Sequence, residues 1–313
     1  MDNRPVAQLE NFRLKVFRTV AEELSFRKAA EFLFLTQPAV TLQIQALEED
    51  LGVRLFDRAG GRVSLTRQGA RLLGYARKIS TLAAAAEQEL ASDDDRVSGS
   101  LPLGVSTTIA QYVLPQLLGA FLAEHPHVQL SLHSGNTSEI VDLLIEGKVS
   151  AGLIEGPARK RAVRAEPFME DELVLIAPPK FEYHRLSLRQ LTSATLLLRE
   201  QGSGSRRVVE TALLRAGVKT KSFRQVMHLD STEAIKSAVE AGLGLGFVSR
   251  WAISKEQDLR VLKVVDVPGL RIRRHFSLIS LAGPVPQGPV RSFRHFTLAR
   301  ARILSQARRP FGN

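Results

Sequence analysis

The residue pattern of this 313-residue chain predicts an α/β protein fronted by a small all-helical unit that carries a β-wing. Three features carry that expectation. Apolar residues recur at helical spacing from Leu14 to Leu47, two short extended runs then flank the turn Asp57-Arg58-Ala59-Gly60-Gly61, and from Leu101 onward strand-like runs alternate with helical stretches. The length also exceeds what one hydrophobic core ordinarily serves, which favours at least two domains.

The elements follow in order. Leu14, Phe17, Val20, Ala21 and Leu24 predict a first helix with one buried stripe, ending near Leu24. Ser25 is a good N-cap for a second helix, in which the small Ala29 and Ala30 let another helix cross closely and Leu33 completes the buried face. Thr36 can cap a third helix, and Pro38 fits its first turn because no amide donor is needed there. Val40, Ile44 and Leu47 form the apolar stripe of that helix, while Gln37, Thr41 and Gln45, four apart, form a neighbouring polar edge. Extended runs at 53–56 and 62–65 predict a two-stranded wing.

Thr66 can cap a long helix whose Leu72, Ala76, Ile79, Ala83, Ala86 and Leu90 alternate by four and three. Such a seam either packs on its own domain or meets a second copy of the chain, and the alanine run 83–86 suits a close second helix. Residues 92–100, with Asp93-Asp94-Asp95 and Gly99, read as a hinge. The expected divisions are therefore 9–66, a helix over 67–92, a hinge at 93–100 and a larger unit over 101–302. Within that unit the pattern predicts strands at 101–105, 128–133, 151–154, 173–177, 195–198, 246–248 and 276–281, with helices around 112–122 and 138–145 among those between.

Composition narrows the function. The chain has no cysteine, which removes disulfides, thiol nucleophiles and thiolate metal sites. No apolar run approaches the roughly 18 residues needed to cross a bilayer, and the opening Met1-Asp2-Asn3-Arg4-Pro5 lacks a secretory pattern, so a cytoplasmic chain without membrane contact is expected. The net charge is +11, but residues 1–65 hold nine basic and nine acidic side chains, whereas 200–313 hold twenty and eight. The excess thus lies in the second half, where a solvated surface is the plainer reading. Gly242-Leu243-Gly244-Leu245-Gly246 misses the dinucleotide fingerprint and reads as a helix stop and turn. The seven histidines are scattered, no serine sits in a GxSxG elbow, and no cofactor, metal or catalytic constellation is expected.

Two constellations remain. In a helix-turn-helix the latter of the two helices fits the major groove and presents its first turn to base edges and phosphates, and Gln37, Thr41 and Gln45 of the third helix here have chemistry for that. Arg58 and Arg62 in the wing could meet phosphate or the minor groove. A helical bundle with a wing also serves as a pure protein-interaction module. Farther on, Ser106-Thr107-Thr108, Asn136-Thr137 and Ser231-Thr232 each stand where a strand yields to a helix or loop. Helix starts offer free amides and a positive dipole, so these clusters either only cap helices or together complete an anion site.

Ser25-Phe26-Arg27-Lys28-Ala29-Ala30, Thr36-Gln37-Pro38-Ala39-Val40-Thr41, the run from Leu47 to Arg58, and Leu65-Thr66 with Gly69 closely resemble LysR-type transcriptional regulators. Ser134 to Ile140, Arg199 to Arg206 and Ser231 to Lys236 extend the resemblance to the branch holding CbbR and CysL, which controls carbon fixation and sulfur assimilation. The resemblance implies a winged helix-turn-helix on double-stranded operator DNA, with Thr36, Gln37, Pro38, Ala39, Thr41, Leu42 and Gln45 in the major groove and Arg58 and Arg62 on the backbone or minor groove. Family members often carry arginine where this chain has Leu42. It also implies two Rossmann-like α/β subdomains, about 101–176 with 275–302 and about 177–274, built like periplasmic binding proteins with a small effector between them. Taken with the hydroxyl clusters at helix starts, it makes Ser106, Thr107, Thr108, Asn136, Thr137, Ser203, Ser205, Arg206, Ser231 and Thr232 the expected effector residues, and the hydroxyl-rich set favours an anion. Homodimers through the long helix, paired into homotetramers, complete the implied assembly.

Overall fold

The structure, a computed structural model, describes residues 9–59, 62–91, 97–283 and 287–307. Its first unit contains α1 (Phe12–Glu23), α2 (Phe26–Leu33), α3 (Gln37–Leu51), β1 (Phe56–Ala59), β2 (Arg62–Leu65) and the long α4 (Arg67–Ala91). The caps expected from sequence are made. Ser25 accepts a hydrogen bond from the Lys28 amide, Thr36 from Ala39, and Thr66 from Gly69. Phe17, Val20, Ala29, Val40, Ile44 and Phe56 form one core, closed by Leu73 and Ala76 of α4.

Three expectations are corrected here. Leu24 was expected in the buried stripe of α1, yet it is exposed, because it takes the left-handed C-cap conformation and leaves the helical period. The wing strand begins at Phe56 rather than Val53; Val53 instead closes the end of α3, its amide bonding back to the Glu48 carbonyl. The seam of α4 divides. Ala76 and Ala83 are buried and Leu72 packs on the N-terminal core, whereas Ile79 is exposed beside Tyr75 and Leu82. The helix therefore packs on its own unit with one face and presents Tyr75, Ile79 and Leu82 on another. The hinge residues 92–96 and the Gly60-Gly61 turn lie outside the described residues.

The second unit is built on β3 (Ser98–Ser106), β4 (His127–Gly135), β5 (Ala151–Ile154), β6 (Val163–Ala177), β7 (Thr195–Arg199), β8 (Gln225–Leu229), β9 (Leu245–Ser249), β10 (Lys263–Val265) and β11 (Ile272–Leu281). Strands run in the order β4-β3-β5-β11-β6-β9-β7-β8, with β10 on β6. Helices α5 (Thr107–Tyr112), α6 (Leu114–Glu124), α7 (Thr137–Ile145) and α12 (Pro289–Ala307) cover the first half of this sheet. The second half carries α8 (Leu188–Thr192), α9 (Gly204–Arg215), α10 (Thr232–Glu240) and α11 (Ser254–Asp258). Separate cores lie on the two faces of each half, one set around Phe121, Phe276 and Phe293 and around Ile140 and Leu144, the other around Leu196 and Val209 and around Ile235 and Val248.

The antiparallel pair β6 and β11 joins the halves: Val163 to Pro167 pair with Ser277 to Leu281, and Asp171 to Leu173 with Ile272 to Arg274. Sequence reading found only the apolar end of β6, because Glu166, Pro167, Glu170, Asp171 and Glu172 disguise its first part. Strand β3 likewise starts at Ser98, inside the expected hinge, where it pairs with His127. The helix expected near 112–122 is α6, with Pro115 in its first turn, and the short α5 that precedes it was not part of the expected pattern. Strands β8 and β10 were not foreseen.

Candidate functional site

On α3 the expected polar edge faces solvent. Thr36, Gln37, Pro38, Leu42 and Gln45 are exposed and Ala39 and Thr41 half-buried, with the apolar Val40 and Ile44 sealed on the other side. The Thr41 hydroxyl donates to the Gln37 carbonyl at 3.0 Å, which leaves its oxygen able to accept a hydrogen bond. Leu42 is 63% exposed, an apolar side chain on a polar surface. Arg58 and Arg62 lie on the wing strands, Arg58 opposite Val63 and Arg62 opposite Ala59.

The second constellation gathers at the carboxyl ends of parallel strands, the usual place for ligands in α/β sheets. Ser106 ends β3 beside Gly135 of β4, and Arg199 ends β7 beside Leu229 of β8. Thr108 and Thr232, from opposite halves of the sheet, place their hydroxyl oxygens 3.3 Å apart. Arg199 joins them: its guanidinium donates to Thr232 at 3.2 Å and to Thr107 at 3.1 Å, while Glu200 takes two more of its N–H groups. Arg199 is 3% exposed, and sequence reasoning did not assign it a role. The signal was an arginine closing the otherwise apolar run Thr195–Arg199. Two hydroxyls in this region, Ser106 Oγ and Thr137 Oγ1, are buried and have no hydrogen-bond partner among the described residues. Such groups are costly unless something else satisfies them.

The remaining predicted residues have other occupations. Asn136 accepts from the Ser138 and Glu139 amides in a capping box, Ser203 from the Arg206 amide, and Ser231 from the Ala234 amide. Ser205 donates to Glu155 at 3.0 Å and accepts from Arg274 at 2.7 Å. Arg206 binds Glu210 at 2.8 Å and the Arg199 carbonyl.

Beneath the strand ends lies a buried ionic cluster. Arg274 of β11 donates to Asp171 of β6 at 2.6 Å and to the Glu155 carbonyl at 3.2 Å, and Ser249 donates to Asp171 at 2.7 Å. Burial pushes the Asp171 carboxyl up, against the opposing pull of Arg274. Nearby, Tyr112 of the first half hydrogen-bonds Glu233 of the second, and Lys236 stands 5.2 Å from the Tyr112 ring centre. Burial works against the Glu233 charge, but hydrogen bonds from Lys236 and Tyr112 prevail and hold its carboxyl low. Among the described residues no group of three or more His, Asp or Glu could hold a metal ion.

Comparison with known proteins agrees with this geometry. Residues 12–70 match the family described as bacterial regulatory helix-turn-helix protein, lysR family, and residues 94–302 match the LysR substrate binding domain. The RuBisCO operon transcriptional regulator of Allochromatium vinosum is 36% identical over 292 residues, covering 92% of this chain and 95% of that protein. The full-length CbnR structure with its target DNA is 25% identical, with a TM-score of 0.62 over 92% of this chain and 98% of that one. The regulatory domain of Synechocystis CcmR in complex with 2-PG is 26% identical, with a TM-score of 0.60 over 66% of this chain and 98% of that one. The expected kinship with carbon-fixation regulators is met by the RuBisCO operon transcriptional regulator, and the relatives are named as regulators rather than enzymes. No helix among the described residues is long and apolar enough to cross a membrane. The chain belongs to the LysR family of DNA-binding transcriptional regulators, with an N-terminal helix-turn-helix and a C-terminal effector-binding domain.

Proposed function

We propose that this regulator reads its operator with the exposed edge of α3 and that a small anion held at the strand ends between the two α/β halves adjusts that reading. The observation that carries the first part is the outward edge of Gln37, Thr41 and Gln45 on a capped helix whose other face is sealed. Glutamine can pair with an adenine edge, and threonine offers an acceptor oxygen and a methyl group suited to thymine. Leu42 would favour thymine methyl contact over a phosphate or guanine contact at that position. Arg58 and Arg62 would hold the wing on the backbone.

The second part rests on Ser106 Oγ and Thr137 Oγ1, buried without partners among the described residues at the starts of α5 and α7, together with the cation of Arg199 bonded to Thr107 and Thr232 and the Thr108 hydroxyl next to Thr232. An anion entering there finds unsatisfied donors and a fixed positive charge. Thr108 against Thr232 and Arg199 against Thr107 span the two halves, so a ligand that engages these groups changes how the halves close. Linkage requires that it bind one arrangement better than the other. That CcmR is known with 2-PG in its regulatory domain supports a small-molecule effector here.

In this reading 9–66 is the DNA-binding domain, the helix over 67–92 pairs with its counterpart in a second copy, 93–100 is a hinge, and the subdomains span about 101–176 with 275–302 and about 177–274. Paired dimers would form a cytoplasmic homotetramer, and closure of the subdomains would alter dimer spacing and DNA bend. The test has two arms. Thr41→Ala with Gln45→Ala should abolish the operator footprint while leaving the urea midpoint unchanged; an intact footprint refutes the DNA assignment. In a thermal-shift screen of small anions, any anion that raises the Tm of the wild type should lose that effect in Thr108→Val with Thr232→Val. An equal shift in both proteins refutes the cleft.

A further inference from the structure

The basic excess of the second half is not spread evenly over its surface. A groove of about 490 Å³ runs between α9 and the run-in to β11, away from the Thr108–Thr232 junction. Arg159, Arg207, Arg215, Arg271 and Arg273 line it, and no carboxylate does. Arg274, at its floor, is already engaged by Asp171. A second recess of about 360 Å³ shares Arg159, Arg207 and Thr211 and continues to Gly202 and Arg206. There Arg206 is neutralised by Glu210 at 2.8 Å.

The other charges of the groove are not held in ion pairs, although Glu210 lies near Arg207 and Arg273 stands across from Glu172 of β6. Arg159, Arg215, Arg271 and Arg273 form no ion pair with any carboxylate among the described residues. Among the described residues the Arg207 guanidinium donates to neutral acceptors, the Pro157 carbonyl at 3.1 Å and the Ser138 hydroxyl at 3.4 Å. Burial, and then the neighbouring charge of Arg159, push the Arg207 guanidinium below its ordinary range, with Glu210 opposing. A solvated face would scatter its cations or intersperse acids, as the surface around Arg185 and Asp266 does. A concave site of this size, bordered by several arginines and with no carboxylate in its lining, matches what phosphate recognition requires.

We infer that this groove is a second anion site, distinct from the strand-end cleft, and that it takes a small ligand bearing two or more phosphoryl groups. Arg207 and Arg215 stand eight residues apart on α9, roughly 12 Å along its axis at about 1.5 Å per residue, so a single phosphoryl group engages only part of the set and a ligand with two engages more of it. Arg207 also ties α9 of one half to Ser138 at the start of α7 in the other. A ligand that draws on Arg207 therefore competes with a contact between the halves, a regulatory consequence that rests on the cleft reading above.

The experiment is calorimetric titration of inorganic pyrophosphate into the full-length protein at about 150 mM salt, where diffuse attraction is screened. Arg215→Gln with Arg271→Gln, both exposed positions, should weaken binding roughly ten-fold or more, as expected when two charge-assisted partners are lost. Arg189→Gln with Arg224→Gln removes the same charge elsewhere on this half and should change affinity less than about two-fold, and Thr108→Val with Thr232→Val should leave the groove titration intact. Equal weakening by both arginine pairs would show only a diffuse positive field and overturn the inference. Loss confined to the threonine variant would place pyrophosphate in the cleft, overturning the groove while leaving the cleft reading standing. No binding by the wild type at millimolar pyrophosphate, or a groove variant that weakens only duplex DNA binding, would also overturn it.

Discussion

Gly156 and Gly204 bring the two halves of the effector unit into backbone contact, and adding one methyl group there tests whether that contact sets their closure. A Cβ on Gly156 would stand 2.5 Å from the Gly204 Cα and 3.2 Å from its carbonyl carbon and oxygen. All three are backbone atoms, so no side chain can swing aside. Ordinary contact begins at 3.4 Å, and the backbones must part by about 0.9 Å. Transmitted to the strand ends, that opening would stretch Thr108–Thr232 from 3.3 Å and Arg199–Thr107 from 3.1 Å to about 4 Å, beyond hydrogen-bonding range. Overpacking of this kind costs about 1–3 kcal/mol, partly offset by the roughly 0.4–1 kcal/mol that alanine gains over glycine by restricting the unfolded chain. Gly156→Ala should therefore lose about 1–2 kcal/mol in equilibrium urea unfolding of the full chain. Gly204→Ala strikes the same contact from the other side, with its Cβ 2.5 Å from Thr137 Oγ1 and 2.8 Å from the Gly156 amide nitrogen. Once the gap has opened, the second methyl group costs less, so the double variant should be less destabilised than the sum of the singles. Wild-type stability in Gly156→Ala, or strict additivity with Gly204→Ala, would refute the reasoning.

Two further predictions concern charge. Arg274→Met leaves Asp171 and Glu155 buried without their cation and should cost about 3–5 kcal/mol by urea titration at neutral pH. Because burial raises the Asp171 carboxyl in the folded state, the charged form is the unfavourable one. That penalty applies above the folded value and is relieved as pH falls toward the ordinary 3.8, so the deficit of Arg274→Met should shrink in acid. Glu166 behaves in the opposite sense: a hydrogen bond from Arg294 of α12 holds its carboxyl below 4.5. Its stabilisation is present above 4.5 and lost as pH falls through the lower folded value, and Glu166→Gln should flatten that part of the stability–pH curve.

The sequence by itself determined what depends on neighbours along the chain. Ser25, Thr36 and Thr66 cap the helices expected of them, since a cap needs only an amide three residues on. The Gly242 turn after α10 and the polar edge of α3 follow for the same local reason, and the family motifs lie within such segments. Only the tertiary structure decided what depends on distant partners. Strand β6 hides ten polar-rich residues because β11 supplies its hydrogen bonds and Arg274 and Arg294 answer its carboxylates, neither of which is a sequence neighbour. The division of α4 into a packed and an open face likewise depends on where α1 lies. Arg199 shows the difference most directly. Its neighbours in sequence are leucines and a glutamate, but burial in low dielectric makes it a site by joining Thr107, 92 residues before it, to Thr232, 33 residues after it.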